Sequence, residues 1–411
     1  KWGKQLAIVK NAKCLLKHLN PFVRRIVMKA KTAYFDNAAT TFPKPESVYK
    51  FMDELYRECG VNVGRGNYVS EQTASGIVHE TRSLLLDLFH AEGYHVILQP
   101  SATIALNTVL RGLPWRDGMT VYVTPFEHNA VSRTLNYIAR SCKINIEVLA
   151  VDRKTLTYQN DRIQFQFQDK PPDIVMVTHA SNVCGAIAPL ADIFRAAKRY
   201  GATTVADMSQ TAGLIDVDMR ASCADHIIFA GHKTLYGPFG AAGFVAANPL
   251  QLEPLIYGGT GIESANPLMP EVLPIKFEAG SQNVLAIAGL YAALKWINEI
   301  GAESIVEQES DSRTRLLALL HQYDMLEIIE PKGPAVGVIS CNVKGYSSDS
   351  IGEVFSELGV ACRVGLHCSP SAHRFLGTYP AGTVRFSVGY FTNNEDFDGL
   401  RNALDYIEEN M

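Results

Sequence analysis

The sequence predicts an α/β protein built on a mostly parallel sheet. Three observations predict it. Seven short apolar runs recur through the middle of the chain, at 94–98, 120–124, 144–150, 173–178, 203–206, 226–229 and 243–246. Helical patterns lie between several of them, at 104–110, 130–139 and 190–200. Each run ends in small or polar residues. Short buried strands that alternate with helices make a sheet covered by helices, and the strands of such a sheet read as continuous apolar runs.

Composition agrees with a large folded chain. The 411 residues carry 38 Lys+Arg against 42 Asp+Glu, a net charge of -4. Hydrophobic residues make up 47% and charged residues 19%. These values exclude a disordered chain and a nucleic-acid binder driven by bulk positive charge. No apolar stretch reaches the length of a membrane-spanning helix. The length suits one large domain plus a smaller one.

The ends of the runs carry the chemistry. Ligands of open α/β sheets sit beyond the C-terminal ends of the strands. Run 94–98 leads into Gln99-Pro100-Ser101-Ala102-Thr103, which opens a helix. Run 120–124 leads into Pro125-Phe126-Glu127-His128-Asn129, and run 173–178 into His179-Ala180-Ser181-Asn182. Run 203–206 ends at Asp207-Met208-Ser209-Gln210, and run 226–229 at Ala230-Gly231-His232-Lys233. One polar strand end means little; five in succession read as a site. A lysine such as Lys233 is by itself an ordinary surface residue. With Asp207 on a neighbouring strand end, it becomes the pair that pyridoxal phosphate needs: an amine for a Schiff base and an acid facing the pyridine nitrogen. Backbone N–H groups of Ala102 and Thr103 at a helix start, with the Thr103 hydroxyl, suit a phosphate. His128 suits a ring stacked on the cofactor, and Asn182 and Gln210 suit its phenolic oxygen.

Longer motifs extend this reading. They are Tyr34-Phe35-Asp36-Asn37-Ala38-Ala39-Thr40-Thr41, Glu127-His128-Asn129, His179-Ala180-Ser181-Asn182-Val183-Cys184-Gly185 and Ala206-Asp207-Met208-Ser209-Gln210-Thr211-Ala212-Gly213. Further on come Gly231-His232-Lys233, Phe277-Glu278-Ala279-Gly280-Ser281-Gln282-Asn283 and Arg363-Val364-Gly365-Leu366-His367-Cys368. In this order the chain, from about residue 32 to its end, resembles the cysteine desulfurase branch of the class V aminotransferases. That resemblance implies the fold-type I architecture of pyridoxal phosphate enzymes. It implies a large cofactor domain with a seven-stranded, mostly parallel sheet at 50–285 and a small α/β domain at 286–411. Residues 28–49 would pack with the small domain, and a helix at 286–300 would link the two.

The resemblance also implies roles. Lys233 would hold the cofactor and shuttle the Cα proton, and Asp207 would pair with the pyridine nitrogen. His128 would stack on the ring and relay protons to and from the substrate thiol. Asn182 and Gln210 would meet the phenolic oxygen; Ala102, Thr103 and His232 the phosphate; and Thr260 the phosphate of a partner subunit. Asn37, Ala38, Asn182, Arg363 and Arg385 would bind the substrate, Arg385 as a two-pronged clamp on its carboxylate. Cys368 would take the sulfur of L-cysteine and leave L-alanine. A short loop between Cys368 and Arg385 implies a compact catalytic loop that hands sulfur to an acceptor protein, in a homodimer. L-selenocysteine is the alternative substrate. A class V aminotransferase or lyase that does not use the cysteine is the alternative activity, and a scaffold that keeps only the fold is the non-enzymatic one. Two positions depart from the pattern: Ala230 and Ala102-Thr103-Ile104 replace more polar residues, which weakens cofactor contacts without removing a reacting group.

Eight cysteines stand at 14, 59, 142, 184, 223, 341, 362 and 368, with no Cys-x-x-Cys pair. Scattered thiols in a long chain point to a reducing, cytoplasmic compartment. Most thiols are buried packing residues. Cys368 differs because Arg363, His367 and His373, read as cationic neighbours, lie within five residues of it, a setting that lowers a thiol's pKa and makes it nucleophilic. No further ligand pattern accompanies Cys368, His367 and His373, so no metal is expected. The first 27 residues are basic and lack acids, and read as an extension outside the fold.

Overall fold

The computed structural model describes residues 32–64 and 66–410, so the basic extension and Cys14 lie outside the described residues. The strands, in chain order, are β1 (Ala33–Tyr34), β2 (His95–Gln99), β3 (Thr120–Val123), β4 (Asn145–Val148), β5 (Ile174–Thr178), β6 (Thr203–Asp207) and β7 (His226–Ala230). They continue with β8 (Ala242–Ala246), β9 (Leu326–Ile329), β10 (Val338–Val343), β11 (Val360–Ala361), β12 (Arg363–Gly365) and β13 (Thr383–Ser387).

All seven apolar runs are strands, and they form one sheet in the order β2-β8-β7-β6-β5-β3-β4. The pairs β3/β4, β3/β5, β5/β6 and β6/β7 are parallel. Strand β8 runs antiparallel between β2 and β7. The reason is the connection. A parallel return needs a crossover of about a dozen residues or more, usually a helix. Residues 231–241 contain no helix, so the chain doubles back. Lys233 sits in this doubling-back segment.

Apart from the exposed edge strand β4, the sheet is buried on both faces, and residues of period two still sort between them. Ile97, Val121, Ile174, Met176, Val205 and Ile228 pack under the helices Ala102–Gly112 and Asn129–Ile138. Val96, Leu98, Tyr122, Val175, Val177, Ile227 and Phe229 face the other core, with Val78, Leu85, Phe167, Phe194, Leu290 and Ile297 from four further helices. Each such side chain, fully buried, stabilises by about 1.5–3 kcal/mol. The helix Val284–Ile300 begins two residues before the expected 286 and ends at Gly301, whose φ of +85° turns the chain into the helix Ala302–Leu320. Among the described residues no single helix is long and apolar enough to cross a membrane.

A second sheet, antiparallel in the order β12-β13-β10-β9, has its own core of Leu316, Leu320, Ile339, Phe355, Phe386, Leu400 and Leu404. Phe35 belongs to that core, and β1 pairs in parallel with β11. The start of the described chain is thus sewn to its C-terminal part.

Candidate active site

A cavity of about 230 Å³ opens at the C-terminal ends of β5, β6 and β7, where the second sheet meets the first. Its walls include Ala38, Ala102, Thr103, His128, Asn182, Asp207, Gln210, His232 and Lys233, and also Arg363, Cys368 and Arg385. Two expected residues lie elsewhere. Asn37 is buried, and its amide donates to the Ser387 carbonyl at 3.0 Å and accepts from Phe42 N at 3.3 Å. Thr260 lines a separate cavity with Arg82, Ser75 and Gln282.

The sequence places each side chain locally. Ser101 caps the helix Ala102–Gly112 by accepting from Ile104 N, which leaves the first N–H groups of that helix turned toward the cavity. Asp207 ends β6, and one of its carboxylate oxygens accepts from Ser209 N at 3.0 Å and Ser209 Oγ at 2.5 Å. Its second oxygen takes none of these bonds. Gln210 donates to the Ala38 carbonyl at 2.9 Å. His232 stacks on Phe239 with ring centroids 4.5 Å apart, and its buried Nδ1 has no partner among the described residues. Burial, aided by Lys233 and Lys44, pushes the His232 imidazole down to about 3. Burial also lowers the Lys233 ammonium to about 8, against the opposing pull of Asp207.

His128 caps the helix Asn129–Ile138. Its Nδ1 accepts from Ala130 N at 3.0 Å. A backbone N–H can only donate, so in the neutral ring the proton sits on Nε2. Burial and Lys233 hold the ring below its ordinary value. His128 therefore offers a hydrogen-bond donor rather than a free base. Behind it, Glu127 accepts from N and Oγ of both Thr124 and Thr178, at 2.6–3.1 Å, and ties the ends of β3 and β5 together. Burial raises the Glu127 carboxyl to about 7.

The two arginines come from the second sheet. Arg385 is 2% exposed; it donates to Asp36 Oδ1 at 2.8 Å and to the Asn182 carbonyl at 2.9 Å, and its Nε has no partner among the described residues. Nη2 of Arg363 lies 4.0 Å from Sγ of Cys368. The thiol is half-buried. Both His367 and Cys368 adopt left-handed backbone, with φ of +47° and +58°, at a cost of about 1–2 kcal/mol per residue. Hydrogen bonds hold the bend: Asn129 N donates to the Cys368 carbonyl at 2.7 Å, and Asn182 Nδ2 to the His367 carbonyl at 2.7 Å.

The histidines of this loop correct the sequence reading. His367 is 4% exposed and His373 is fully buried. Burial drives both imidazoles down, to about 2 and about 4. Both are neutral near pH 7, so of the three expected cations only Arg363 bears charge beside Cys368. Burial pushes the thiols of Cys341 and Cys362 up to about 12 and raises that of Cys184. Residues with no expected role also matter here. Asp36 is the partner of Arg385, Ser209 orients Asp207, and Ser369 donates to Asn182 Oδ1 at 2.8 Å. Asp36 stands inside a quoted motif, and Ser209 lies two residues after Asp207; these were the available signals.

The residues fit the expected cofactor. His232, whose buried Nδ1 has no partner among the described residues, and a capped helix start line the same cavity, a donor set that suits a phosphate. A carboxylate oxygen is free for a ring nitrogen, and an amine titrates near neutrality.

This fold and site define a class, and comparison agrees. The aminotransferase class-V family model matches residues 33–400, and the chain belongs to that family. Within it, the chain is 30% identical over 392 residues to a probable cysteine desulfurase of Methanothermobacter thermautotrophicus, covering 94% of this chain and 97% of the relative. A probable cysteine desulfurase of Xylella fastidiosa is 29% identical, covering 93% and 92%. The apo structure of a cysteine desulfurase from Thermococcus onnurineus NA1 superposes with a TM-score of 0.85 at 26% identity, over 93% of this chain and 96% of that one.

Proposed function

We propose that the protein is a pyridoxal phosphate-dependent cysteine desulfurase that converts L-cysteine to L-alanine and takes the sulfur onto Cys368. The observation that carries this reading is the shared cavity. It joins Lys233 and Asp207 from the first sheet to the Cys368 thiol, 4.0 Å from Arg363, from the second. The likeness to cysteine desulfurases over nearly the whole chain supports it.

Pyridoxal phosphate, held by Lys233, His232, Thr103 and the start of the helix Ala102–Gly112, supplies an electron sink when the Cα–H bond of cysteine breaks. The rest falls to the chain's own residues. Asp207, oriented by Ser209, would set a carboxylate oxygen against the ring nitrogen. Lys233, lowered to about 8, is neutral often enough to take and return a proton. Arg385 and Arg363 hold the substrate carboxylate by charge and geometry. The neutral His128 ring stacks and donates from Nε2. The Cys368 thiolate attacks the substrate sulfur; the S–S bond forms as the C–S bond breaks, and the electron pair left on carbon takes up a proton to give L-alanine. The product on the enzyme is a Cys368 persulfide, so atoms and electrons balance without an outside oxidant.

The same reading divides the chain into a cofactor domain at 50–285 and a smaller domain at 286–411, with residues 28–49 packing with the smaller one and the helix at 286–300 linking the two. The pairing of β1 with β11 supports this. It makes the protein a cytoplasmic homodimer. Thr260, set in a second cavity with Arg82, reaches the partner subunit's phosphate. An acceptor protein then collects the sulfur, because the chain after Cys368 folds at once into the helix Pro370–Leu376 and gives the thiol little reach.

Mass spectrometry after incubation with L-cysteine tests the reading. One added sulfur on Cys368 and a matching yield of L-alanine are expected. L-alanine formed at an undiminished rate by Cys368→Ala would overturn the assignment.

A further inference from the structure

We propose that Ser369 is a positioning residue for sulfur transfer: through Asn182, its hydroxyl fixes the left-handed bend that presents Cys368 to the cavity. The proposal rests on the reading of Cys368 as the sulfur acceptor.

Ser369 is fully buried, and its Oγ donates to Asn182 Oδ1 at 2.8 Å. Nδ2 of the same amide donates to the His367 carbonyl at 2.7 Å. One side chain therefore grips the loop on both sides of Cys368, at residue 367 through the backbone and at residue 369 through the hydroxyl. A third bond, Asn129 N to the Cys368 carbonyl, holds the residue between them. His367 and Cys368 both have positive φ, although neither is glycine. Left alone, such a pair relaxes toward ordinary backbone. The grip keeps it in place.

Asn182 is also a wall of the cavity. Its Nδ2 has two hydrogens, and the loop uses one. The other is available to a ligand in the cavity. The amide thus links the contents of the cavity to the angle of the cysteine loop. Its orientation is fixed by Ser369: without that hydroxyl, Oδ1 is a buried acceptor with an empty side, and the amide can turn. Arg385 adds to the arrangement by donating to the Asn182 carbonyl at 2.9 Å, which anchors the backbone from which the amide projects. Ser369 does not line the cavity. It acts only through Asn182 and the bend.

The test compares the holoenzyme with its Ser369→Ala variant, which removes one oxygen and adds no bulk. Three quantities are measured: amide hydrogen exchange over residues 366–370, KM for L-cysteine, and the single-turnover rate at which sulfur appears on Cys368. Loss of one buried hydrogen bond predicts exchange faster by about tenfold and sulfur transfer slower by about tenfold, with KM held within about twofold. Unchanged exchange overturns the proposal. So does faster exchange with an unchanged sulfur rate, which leaves Ser369 a packing residue, or a KM that rises in step with the loss, which makes it a substrate-binding one. The Cys368→Ala variant is run alongside. If that variant forms L-alanine at the parental rate, the proposal falls together with the nucleophile assignment, an outcome distinct from an S369A variant that transfers sulfur normally while C368A does not.

Discussion

Arg363 and Arg385 stand directly opposite each other on the antiparallel strands β12 and β13. Like charges paired across strands repel. Asp36, 2.8 Å from Arg385, offsets one of them. Two guanidinium groups and one carboxylate leave this cluster with one positive charge in excess, which suits a substrate carboxylate or a thiolate.

Removing Asp36 should expose this balance. Asp36→Ala leaves Arg385, 2% exposed, without its ion partner. Breaking a fully buried pair costs about 3–5 kcal/mol, but the Asp36 side chain is 24% exposed, so about 2 kcal/mol is expected. Denaturant unfolding measures it. KM for L-cysteine should rise as well, because Arg385 loses the contact that aims it.

Cofactor loading should follow the Lys233 amine. Its ammonium is lowered to about 8, and only the neutral amine attacks an aldehyde. The rate of covalent loading by apoprotein should climb with pH up to about 8 and then level off, as followed by absorbance. A rate still climbing steeply at pH 10 would contradict the lowered value. Lys233→Ala should show no covalent loading at any pH.

His128 should prove more than a helix cap. An asparagine can keep the cap with its side-chain oxygen, whereas alanine loses it at about 1 kcal/mol. His128→Asn should therefore retain nearly all stability, and His128→Ala should not. Both should lose turnover, because neither offers an aromatic ring with an Nε2 donor. Thermal melts beside steady-state kinetics separate the two effects.

Acid should destabilise the fold before the ordinary carboxylates titrate. Five buried histidines, His179, His226, His232, His367 and His373, are held at about 4 or lower. Between pH 6.5 and 4.5 the unfolded chain binds their protons and the folded chain does not, so stability falls as pH falls. Glu127 and Glu309, raised to about 7, and Glu278, also raised by burial, work the other way across the same window. Five groups oppose three, so the histidines dominate. The melting temperature should drop steadily from pH 6.5 to 4.5; a flat or rising profile would show the opposite balance.

Much of this was legible in the sequence. The inner strands announce themselves because both faces of the sheet are buried there, so β5, β7 and β8 are nearly continuous apolar runs, whereas the edge strand β4 is largely exposed. Lys233 and Asp207 were legible because they follow such runs. The clamp on the cysteine loop was not. Ser369 and Asn182 are 187 residues apart and meet only through the packing of one sheet on the other. The charge state of His367 and His373 was misread for the same reason. Proximity in sequence to Cys368 suggested cations, but burial, which is set by tertiary packing, makes them neutral. Asn37 carries a motif position, yet its amide is spent on the Ser387 carbonyl and Phe42 N.

The doubling back of the chain between β7 and β8 has a mechanical consequence. Both ends of the Lys233 segment are anchored in central strands, and Asp207, Asn182 and His128 are rooted in the same slab. Cys368, Arg363 and Arg385 are rooted in the other. The cavity is a seam, with the anvil on one side and the hammer on the other. Hydrogen bonds fasten that seam, from Asn182 Nδ2 to the His367 carbonyl, Asn129 N to the Cys368 carbonyl and Arg385 to the Asn182 carbonyl, so the spacing that matters for sulfur capture is set by the stitches that cross it.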